Sequence, residues 1–317
     1  MHIVVLGAGA VGGYFGAKLA KAGTQVTFLV RERRFQQLSE RGLRVHSALG
    51  DFAITPLLAT DAAQVEAPDV VIVAVKNYHL QGALPSLKAL TERGARILPL
   101  LNGVNHIEWL RAACGRGAVL GGTCFIEATL DANGDVVHGN QLQDIIFGRL
   151  PDAADAPGAP EDAWLDALQR EIDQAGIHVT QSQQVQVEMW QKYIFLTTMS
   201  AITAATRQPI GVAINDEAAR AFLEGLIAEM TAVAGAAGVN LPDGAEKAVM
   251  ERLEHLPKSM TSSLHRDLEK GLPLELDSLQ GAAIESGERL GVPTPNLRAV
   301  YALLHPYKDG NLARFTL

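Results

Sequence analysis

The sequence predicts an α/β fold in its first half, built on a doubly wound parallel sheet, and a second, all-α domain in the rest of the chain. Short β-branched runs alternate with helical patterns in the first half. These runs are continuously apolar, which is typical of strands covered on both faces. After about Glu161 the periodicity is that of amphipathic helices. A chain of 317 residues also favours two domains, and we place them at 1–180 and 181–317.

The elements of the first domain follow from these runs in chain order. Strands are predicted at 3–6, 25–30, 70–75 and 96–101. Helices are predicted between them, at 11–22, 33–41, 80–92 and 107–113. Strand-like runs between 118 and 147 flank the turn sequence Asp131-Ala132-Asn133-Gly134, which indicates an antiparallel addition to the sheet.

The second domain is predicted to consist of long helices. A last strand is expected at 177–180, beside the domain boundary. One helical pattern, at 161–175, precedes the boundary, and those of the second domain lie at 183–205, 217–237, 245–256 and 274–290. Apolar positions on the final helices are candidates for a homodimer face, although an amphipathic pattern does not separate burial within a chain from burial between chains.

Composition excludes several classes of function. Apolar residues make up 48% and charged residues 20%, which is ordinary globular usage and excludes a disordered chain. The net charge of −8 disfavours a nucleic-acid partner. Two cysteines without metal-ligand spacing predict a cytoplasmic protein without a metal site. No apolar run of about eighteen residues is present, so no membrane span is expected.

The segment Gly7-Ala8-Gly9-Ala10-Val11-Gly12 is a G-x-G-x-x-G motif directly between a predicted strand and a predicted helix. In a Rossmann-type domain such glycines form a tight turn and admit a pyrophosphate to the helix N-terminus. The motif therefore indicates dinucleotide binding. A plain strand-to-helix turn is the alternative.

Arg31, at the end of the second predicted strand, points to NADP(H) as the cofactor. An NAD-binding chain commonly carries an acidic residue there, which accepts a hydrogen bond from the ribose 2′-hydroxyl. An arginine suits a 2′-phosphate, and Arg33 and Arg34 add positive charge. The alternative is a solvated charge cluster at the start of a helix.

Lys76 and Asn102 follow the third and fourth predicted strands. Open parallel sheets bind ligands at the carboxyl ends of their strands, so both residues are expected to face the cofactor. A surface lysine and an Asn-Gly turn are the alternatives.

Two further candidates lie in the helical half. Lys192 shares a predicted helix face with Leu196, Ser200 and Thr203, inside an apolar stretch whose desolvation favours proton donation. A lysine at the rim of the helix is the alternative. Glu275 follows a helix break and, as a first-turn carboxylate, can equally stabilise a helix dipole. Ser262 and Ser263 are candidate N-cap or polar-face residues.

Taken in order, these motifs make the sequence resemble the ketopantoate reductases (2-dehydropantoate 2-reductases), NADPH-dependent enzymes of pantothenate biosynthesis. The resemblance covers nearly the whole chain. It rests on Gly7 to Gly12 with Arg31, Val75-Lys76, Leu101-Asn102-Gly103, the segment 188–192, the segment 262–267, and Glu275-Leu276-Asp277 with Gly281.

The resemblance implies a role for each candidate. Lys192 is implied to be the general acid, and Glu275 a carboxylate that hydrogen-bonds the substrate hydroxyl near the nicotinamide. The other implied roles are that Asn102 bridges cofactor and substrate, Ser263 and Ser200 bind substrate, Lys76 and Ala128 lie beside the nicotinamide and its ribose, and Arg31 contacts the 2′-phosphate.

One departure bears on the substrate. Members of the family typically carry asparagines one and two turns after the catalytic lysine, where this chain has Leu196 and Ser200. Reduction of 2-dehydropantoate to pantoate, in coenzyme A biosynthesis, is the leading expectation. The alternatives are a paralogous reductase of another branched 2-oxo acid and a non-catalytic NADP(H) sensor. A 3-hydroxyacid dehydrogenase is disfavoured, because such chains also place an asparagine where Leu196 stands.

Overall fold

A computed structural model describes residues 1–153, 156 and 159–310 of the chain. The chain divides into two units. Residues 1–101 and 106–186 form what we call the N-terminal unit, and residues 102–105 join the chain from 187 onward in the helical unit. The predicted connector at 151–160 lies partly outside the described residues.

Two sheets make up the framework of the N-terminal unit. The strands are β1 (His2–Leu6), β2 (Gln25–Leu29), β3 (Leu43–Ser47), β4 (Phe52–Ile54), β5 (Leu57–Ala59), β6 (Val70–Val73), β7 (Arg96–Pro99), β8 (Gly121–Leu130), β9 (Val136–Gly148) and β10 (His178–Gln181). The first sheet has the order β5-β2-β1-β6-β7, and all its neighbouring strands are parallel. The Rossmann-type doubly wound sheet is therefore confirmed, with the four predicted strands side by side and the unpredicted β5 at one edge.

A helix follows each of four strands of the first sheet, β1, β2, β6 and β7. These helices are α1 (Ala10–Lys21), α2 (Glu32–Arg41), α3 (Leu80–Thr91) and α4 (His106–Cys114), and α5 (Asp162–Gln174) follows the second sheet. Because helices cover its faces, the centre of the sheet is apolar, and every residue of β6 is buried. The helices begin and end within one residue of their predicted bounds.

The prediction for residues 118–147 is half right. β8 and β9 do form an antiparallel hairpin around the turn at residues 131–134. They do not extend the first sheet, however, but lie in a second sheet of order β10-β9-β3-β4, with β8 paired to β9. The short hairpin β3–β4 was not predicted. It adds two strands to the second sheet, because β3 pairs with β9.

Helix α1 packs against both sheets through glycines. A Cβ atom at Gly16 would lie 2.6 Å from a ring carbon of Phe28 on the first sheet. A Cβ atom at Gly13 would lie 2.9 Å from Val136, at the start of β9. The second sheet thus supports the helix that follows the glycine motif.

The helical unit contains only helices among its described residues, which confirms an all-α second domain. They are α6 (Val185–Thr206), which begins in the preceding unit, α7 (Ile210–Asn215), α8 (Glu217–Ala236), α9 (Ala245–Glu254), α10 (Ser263–Glu269), α11 (Ala282–Leu290) and α12 (Pro295–Leu304). The single helix predicted at 274–290 is instead a π-helical turn, Asp277–Gly281, followed by α11. We call residues 277–281 the π-turn. Helices α7, α10 and α12 were not predicted.

None of the helices in the described part of the chain is both long enough and apolar enough to cross a membrane.

Candidate functional site

The glycine motif forms the turn between β1 and α1, as its position in the sequence predicts. Gly7 has a φ of +98°, and a Cβ atom there would lie 2.8 Å from a methyl carbon of Val75. Gly9 stands immediately before α1, with no atom within 4 Å of the place its Cβ would occupy. We call residues 7–12 the glycine loop. The loop is closed on the side of Val75 and open at Gly9, where a ligand can approach the backbone.

The N-terminus of α1 suits an anion. No side chain caps it, and its first turn carries no acidic residue. The first N–H groups of an α-helix lack partners within the helix, and the helix dipole adds partial positive charge there. The loop and helix can therefore hold the pyrophosphate of a dinucleotide.

Two arginines, Arg31 and Arg34, lie at the start of α2, and Arg34 contacts the glycine loop. Arg31 precedes α2 and is exposed. Partial desolvation and the positive charge of Arg31 lower the pKa of His79, so Arg31 lies near the segment that follows Lys76. Arg34 donates hydrogen bonds from Nε to the Ala8 carbonyl oxygen (3.0 Å) and from Nη1 to that of Gly134 (2.9 Å).

Arg34 contacts the glycine loop and His79 lies within electrostatic range of Arg31, and the sequence singled out neither as a site residue. The charge of Arg34 was noted in the sequence. Its side chain, however, bonds both to the glycine loop and to the turn of the β8–β9 hairpin, a hundred residues later in the chain.

Lys76 and Ala128, the remaining candidates of the N-terminal unit, lie on different sheets. Lys76 follows β6 and precedes a short 3₁₀ helix, Asn77–His79, at the carboxyl edge of the first sheet. Ala128 lies on β8 next to an irregularity in the pairing with β9, and packs against the core of the N-terminal unit. The sequence grouped them beside the nicotinamide, and that grouping stays a prediction.

In the helical unit, Lys192 lies on α6 and Glu275 lies two residues before the π-turn. Both side chains belong to the buried polar residues, each with a relative exposure of 7%. An amine and a carboxyl that are buried this deeply are uncommon, because charged groups lose hydration energy unless they interact with other groups. A rim lysine exposes far more of its head group than Lys192 does.

Hydrogen bonds connect the two segments. Tyr193, the residue after Lys192, donates from Oη to the Leu279 carbonyl oxygen at 2.6 Å. The Leu279 N–H donates to the Glu275 carbonyl oxygen at 3.1 Å, and Ser278 Oγ donates to the same oxygen at 3.1 Å. Lys192 and Glu275, more than eighty residues apart in sequence, therefore belong to one bonded framework.

The segment that begins with Asn102 packs against this framework although it comes from the first half of the chain. Gly103 has a φ of +83°, and a Cβ atom there would lie 2.8 Å from the Ser278 carbonyl oxygen. Val104 packs against the core of the helical unit. The structure thus gathers the segments of Asn102, Lys192 and Glu275 around the π-turn.

The serine candidates lie at the start of α10. Ser262 Oγ accepts a hydrogen bond from the His265 N–H at 3.0 Å, which confirms Ser262 as the N-cap. The same oxygen lies 2.9 Å from Oγ1 of Thr203, which shares the Lys192 face of α6. Ser263 is therefore held at the start of α10, next to that face.

Two other positions on this face differ in burial. Ser200 is buried, whereas Leu196 is partly buried and packs against the core of the helical unit. Among the described residues, no group of three or more His, Cys, Asp or Glu side chains could hold a metal ion.

Comparison with known proteins identifies the family. The model of the family described as "Ketopantoate reductase PanE/ApbA" matches residues 3–152, and that of "Ketopantoate reductase PanE/ApbA C terminal" matches residues 184–308. A relative from Bacillus subtilis (strain 168), "Uncharacterized oxidoreductase YkpB", is 34% identical over 97% of this chain and 99% of its own. These matches place the chain, with its dinucleotide-type sheet and helical second unit, among the oxidoreductases. The chain belongs to the ketopantoate reductase family.

Solved structures agree. The PanE/ApbA family ketopantoate reductase from Ralstonia eutropha JMP134 is 29% identical, with a TM-score of 0.85 over 97% of this chain and 98% of that one. D-mandelate dehydrogenase, solved with NADH and anilino(oxo)acetate, has the same TM-score over the same shares of the two chains. At 21% identity it shows a common fold.

Proposed function

We propose that this protein reduces 2-dehydropantoate to pantoate with NADPH, in the biosynthesis of pantothenate and coenzyme A. One observation carries the proposal. The buried Lys192 and Glu275 are tied to the π-turn by the hydrogen bonds of Tyr193 and Leu279, and the Asn102 segment packs against the same turn. A binding protein without turnover requires neither a buried proton donor nor a carboxylate joined to it.

The glycine loop and the residues near it suit the cofactor. NADPH bound there supplies the hydride that reaches the carbonyl carbon of the substrate. The open side of Gly9 and the uncapped N-terminus of α1 bind the pyrophosphate. The exposed Arg31 binds the 2′-phosphate with its guanidinium fork. Further cofactor contacts are proposed for Lys76, Asn102, Ala128 and Glu275.

The protein's own part in the chemistry is proton transfer and orientation. The Lys192 ammonium donates a proton to the carbonyl oxygen of the substrate as that oxygen gains negative charge. The Glu275 carboxylate accepts a hydrogen bond from the substrate hydroxyl. Asn102 orients the carbonyl, and Ser200 and Ser263 bind the polar groups of the acid.

Leu196 and Ser200 favour a second candidate, the reduction of a different branched 2-oxo acid. Each lost amide partner costs about 1 to 3 kcal/mol if a substrate polar group is left unpaired, which changes preference by one or two orders of magnitude. An apolar Leu196 that packs on the helical core suits a more apolar substrate branch.

The test measures oxidation of NADPH and of NADH with a panel of 2-oxo acids. We expect the highest kcat/KM for 2-dehydropantoate with NADPH. A preference for a bulkier branched 2-oxo acid would support the second candidate. NADPH binding without turnover of any acid would instead indicate a sensor. NADH is included because the D-mandelate dehydrogenase of this fold was solved with it.

A further inference from the structure

The π-turn is held from two sides by tyrosines. Tyr193 of α6 donates to the Leu279 carbonyl oxygen on the buried side, and Tyr301 of α12 donates to Asp277 Oδ1 at 2.7 Å on the exposed side. Single π-helical turns are rare, and they occur frequently at functional sites. Removing one tyrosine hydroxyl or the other therefore compares the effect of the buried hydrogen bond with that of the exposed one.

Tyr193 has a fixed position. Its side chain is 1% exposed, and its ring packs against Trp190 with centroids 5.5 Å apart and planes at 63°. The short hydrogen bond to Leu279 is the contact of its only polar group. A phenol that is enclosed in this way fixes the carbonyl it binds, because neither partner can exchange the bond for water.

The π-turn is tied to α6 at a second point. Gln280, which is fully buried, donates from Nε2 to the Thr197 carbonyl oxygen at 3.2 Å. Tyr193 and Thr197 are four residues apart and therefore lie one helical turn apart. Two contacts with one helix prevent the π-turn from sliding along α6.

We propose that Tyr193 is a positioning residue that holds Glu275 in register with Lys192. The path is short: Tyr193 is bonded covalently to Lys192, its phenol binds Leu279, and the Leu279 N–H binds the Glu275 carbonyl oxygen. This inference rests on the proposed roles of Lys192 and Glu275. It adds a residue that touches neither substrate nor cofactor, and whose effect on turnover passes through Glu275.

Both tyrosines stay protonated at ordinary pH. Burial raises the pKa of Tyr193. Burial, followed by the hydrogen bond to Asp277, raises the pKa of Tyr301 to about 12. Each phenol is therefore a permanent donor, and Tyr→Phe removes one hydrogen bond from each side of the π-turn without changing charge.

The experiment is a double-mutant cycle. We expect Tyr193→Phe to lower kcat roughly tenfold to a hundredfold, since a misplaced catalytic group costs this much, while NADPH affinity changes far less than kcat. In a Glu275→Gln background the same substitution should lower kcat much less, because the group that it positions has already lost its function. Tyr301→Phe is the matched control and should leave kcat within about twofold.

Several results would overturn the inference. An equal fold-loss from Tyr193→Phe in both backgrounds would show a general structural role. An unchanged kcat, or an equal loss from Tyr301→Phe, would contradict it as well. If Tyr193→Phe does not fold, Gln280→Met removes the second contact with α6 and must show the same dependence on Glu275. If Tyr193→Phe turns over normally while Lys192→Ala is inactive, the role of Tyr193 is refuted and the proposed function still stands. An unmodified protein that reduces no 2-oxo acid refutes the proposed function itself.

Discussion

The arginines at the start of α2 differ in what holds them. Arg34 donates to the carbonyl oxygens of Ala8 and Gly134 and so joins the glycine loop to the turn of the β8–β9 hairpin. Desolvation lowers its pKa, although arginine remains charged at any ordinary pH. Arg31 is exposed. At the residue scale, we therefore expect Arg34 to hold the glycine loop in its conformation and Arg31 to distinguish NADPH from NADH.

Arg31→Ala should weaken NADPH binding far more than NADH binding. A charge-assisted contact with the 2′-phosphate is worth roughly 1.5 to 3 kcal/mol, which corresponds to about a tenfold to hundredfold change in Kd. Fluorescence titration with each nucleotide measures the effect. Arg33→Ala removes an exposed arginine that adds charge nearby, and it should weaken NADPH binding much less than Arg31→Ala does. Equal weakening of NADH and NADPH by Arg31→Ala would contradict the assignment.

Sequence motifs identify residues with backbone demands better than residues with tertiary contacts. The glycines are recognisable because a turn followed by a helix requires them in a fixed order. Arg34 and His79 carry no such signal, since their neighbours come from distant parts of the chain. The grouping of Asn102, Lys192 and Glu275 came from the family resemblance, and the bonds around the π-turn now give it a physical basis in the helical unit.

At the element scale, α1 is fitted between the two sheets by glycines. Gly16 faces Phe28 and Val5, both of which are fully buried and cannot move aside. Gly82 on α3 is exposed, and no atom lies within 4 Å of the place its Cβ would occupy. Replacement of these two helical glycines by alanine should therefore change the free energy of unfolding in opposite directions.

Gly16→Ala should destabilise the protein by about 1 to 3 kcal/mol, because the added methyl overlaps a packed ring. Gly82→Ala should stabilise it by about 0.4 to 1 kcal/mol, because alanine loses less backbone entropy than glycine on folding. Denaturant unfolding followed by circular dichroism measures both. Stabilisation by Gly16→Ala would show that α1 is not in close contact with the first sheet.

Most of the elements that the sequence did not reveal are short, although α12 has ten residues. Strands β4 and β5 have three residues each, α7 has six and α10 has seven. Each therefore has too few residues for a hydrophobic period to be recognised. The π-turn escaped prediction for another reason. Its residues continue the pattern of α11, and a π-helical turn differs from an α-helix in its backbone hydrogen bonds, which side-chain periodicity does not reveal.

At the scale of the whole molecule, the chain order differs from the spatial order in one place. Residues 102–105 follow β7 in sequence but belong to the helical unit. A boundary drawn along the sequence assigns Asn102 to the first domain, because periodicity has no information about a short segment that joins another unit. The candidate proton donor and carboxylate both lie in the helical unit, whereas the glycine loop lies in the N-terminal unit.

This division predicts that catalysis and cofactor binding can be separated by substitution. Lys192→Ala should lower kcat by about two to four orders of magnitude, the usual effect of a positioned general acid, while the Kd for NADPH stays unchanged. Lys192→Met retains the apolar stem in its buried place and should show the same loss, which excludes a packing defect. Lys247→Ala removes an exposed lysine of α9 in the same unit and should leave kcat unchanged. Stopped-flow turnover and nucleotide titration measure the two quantities. If Lys192→Ala reduced a 2-oxo acid at a near-normal rate, or lost NADPH binding while still folded, Lys192 would not be the proton donor.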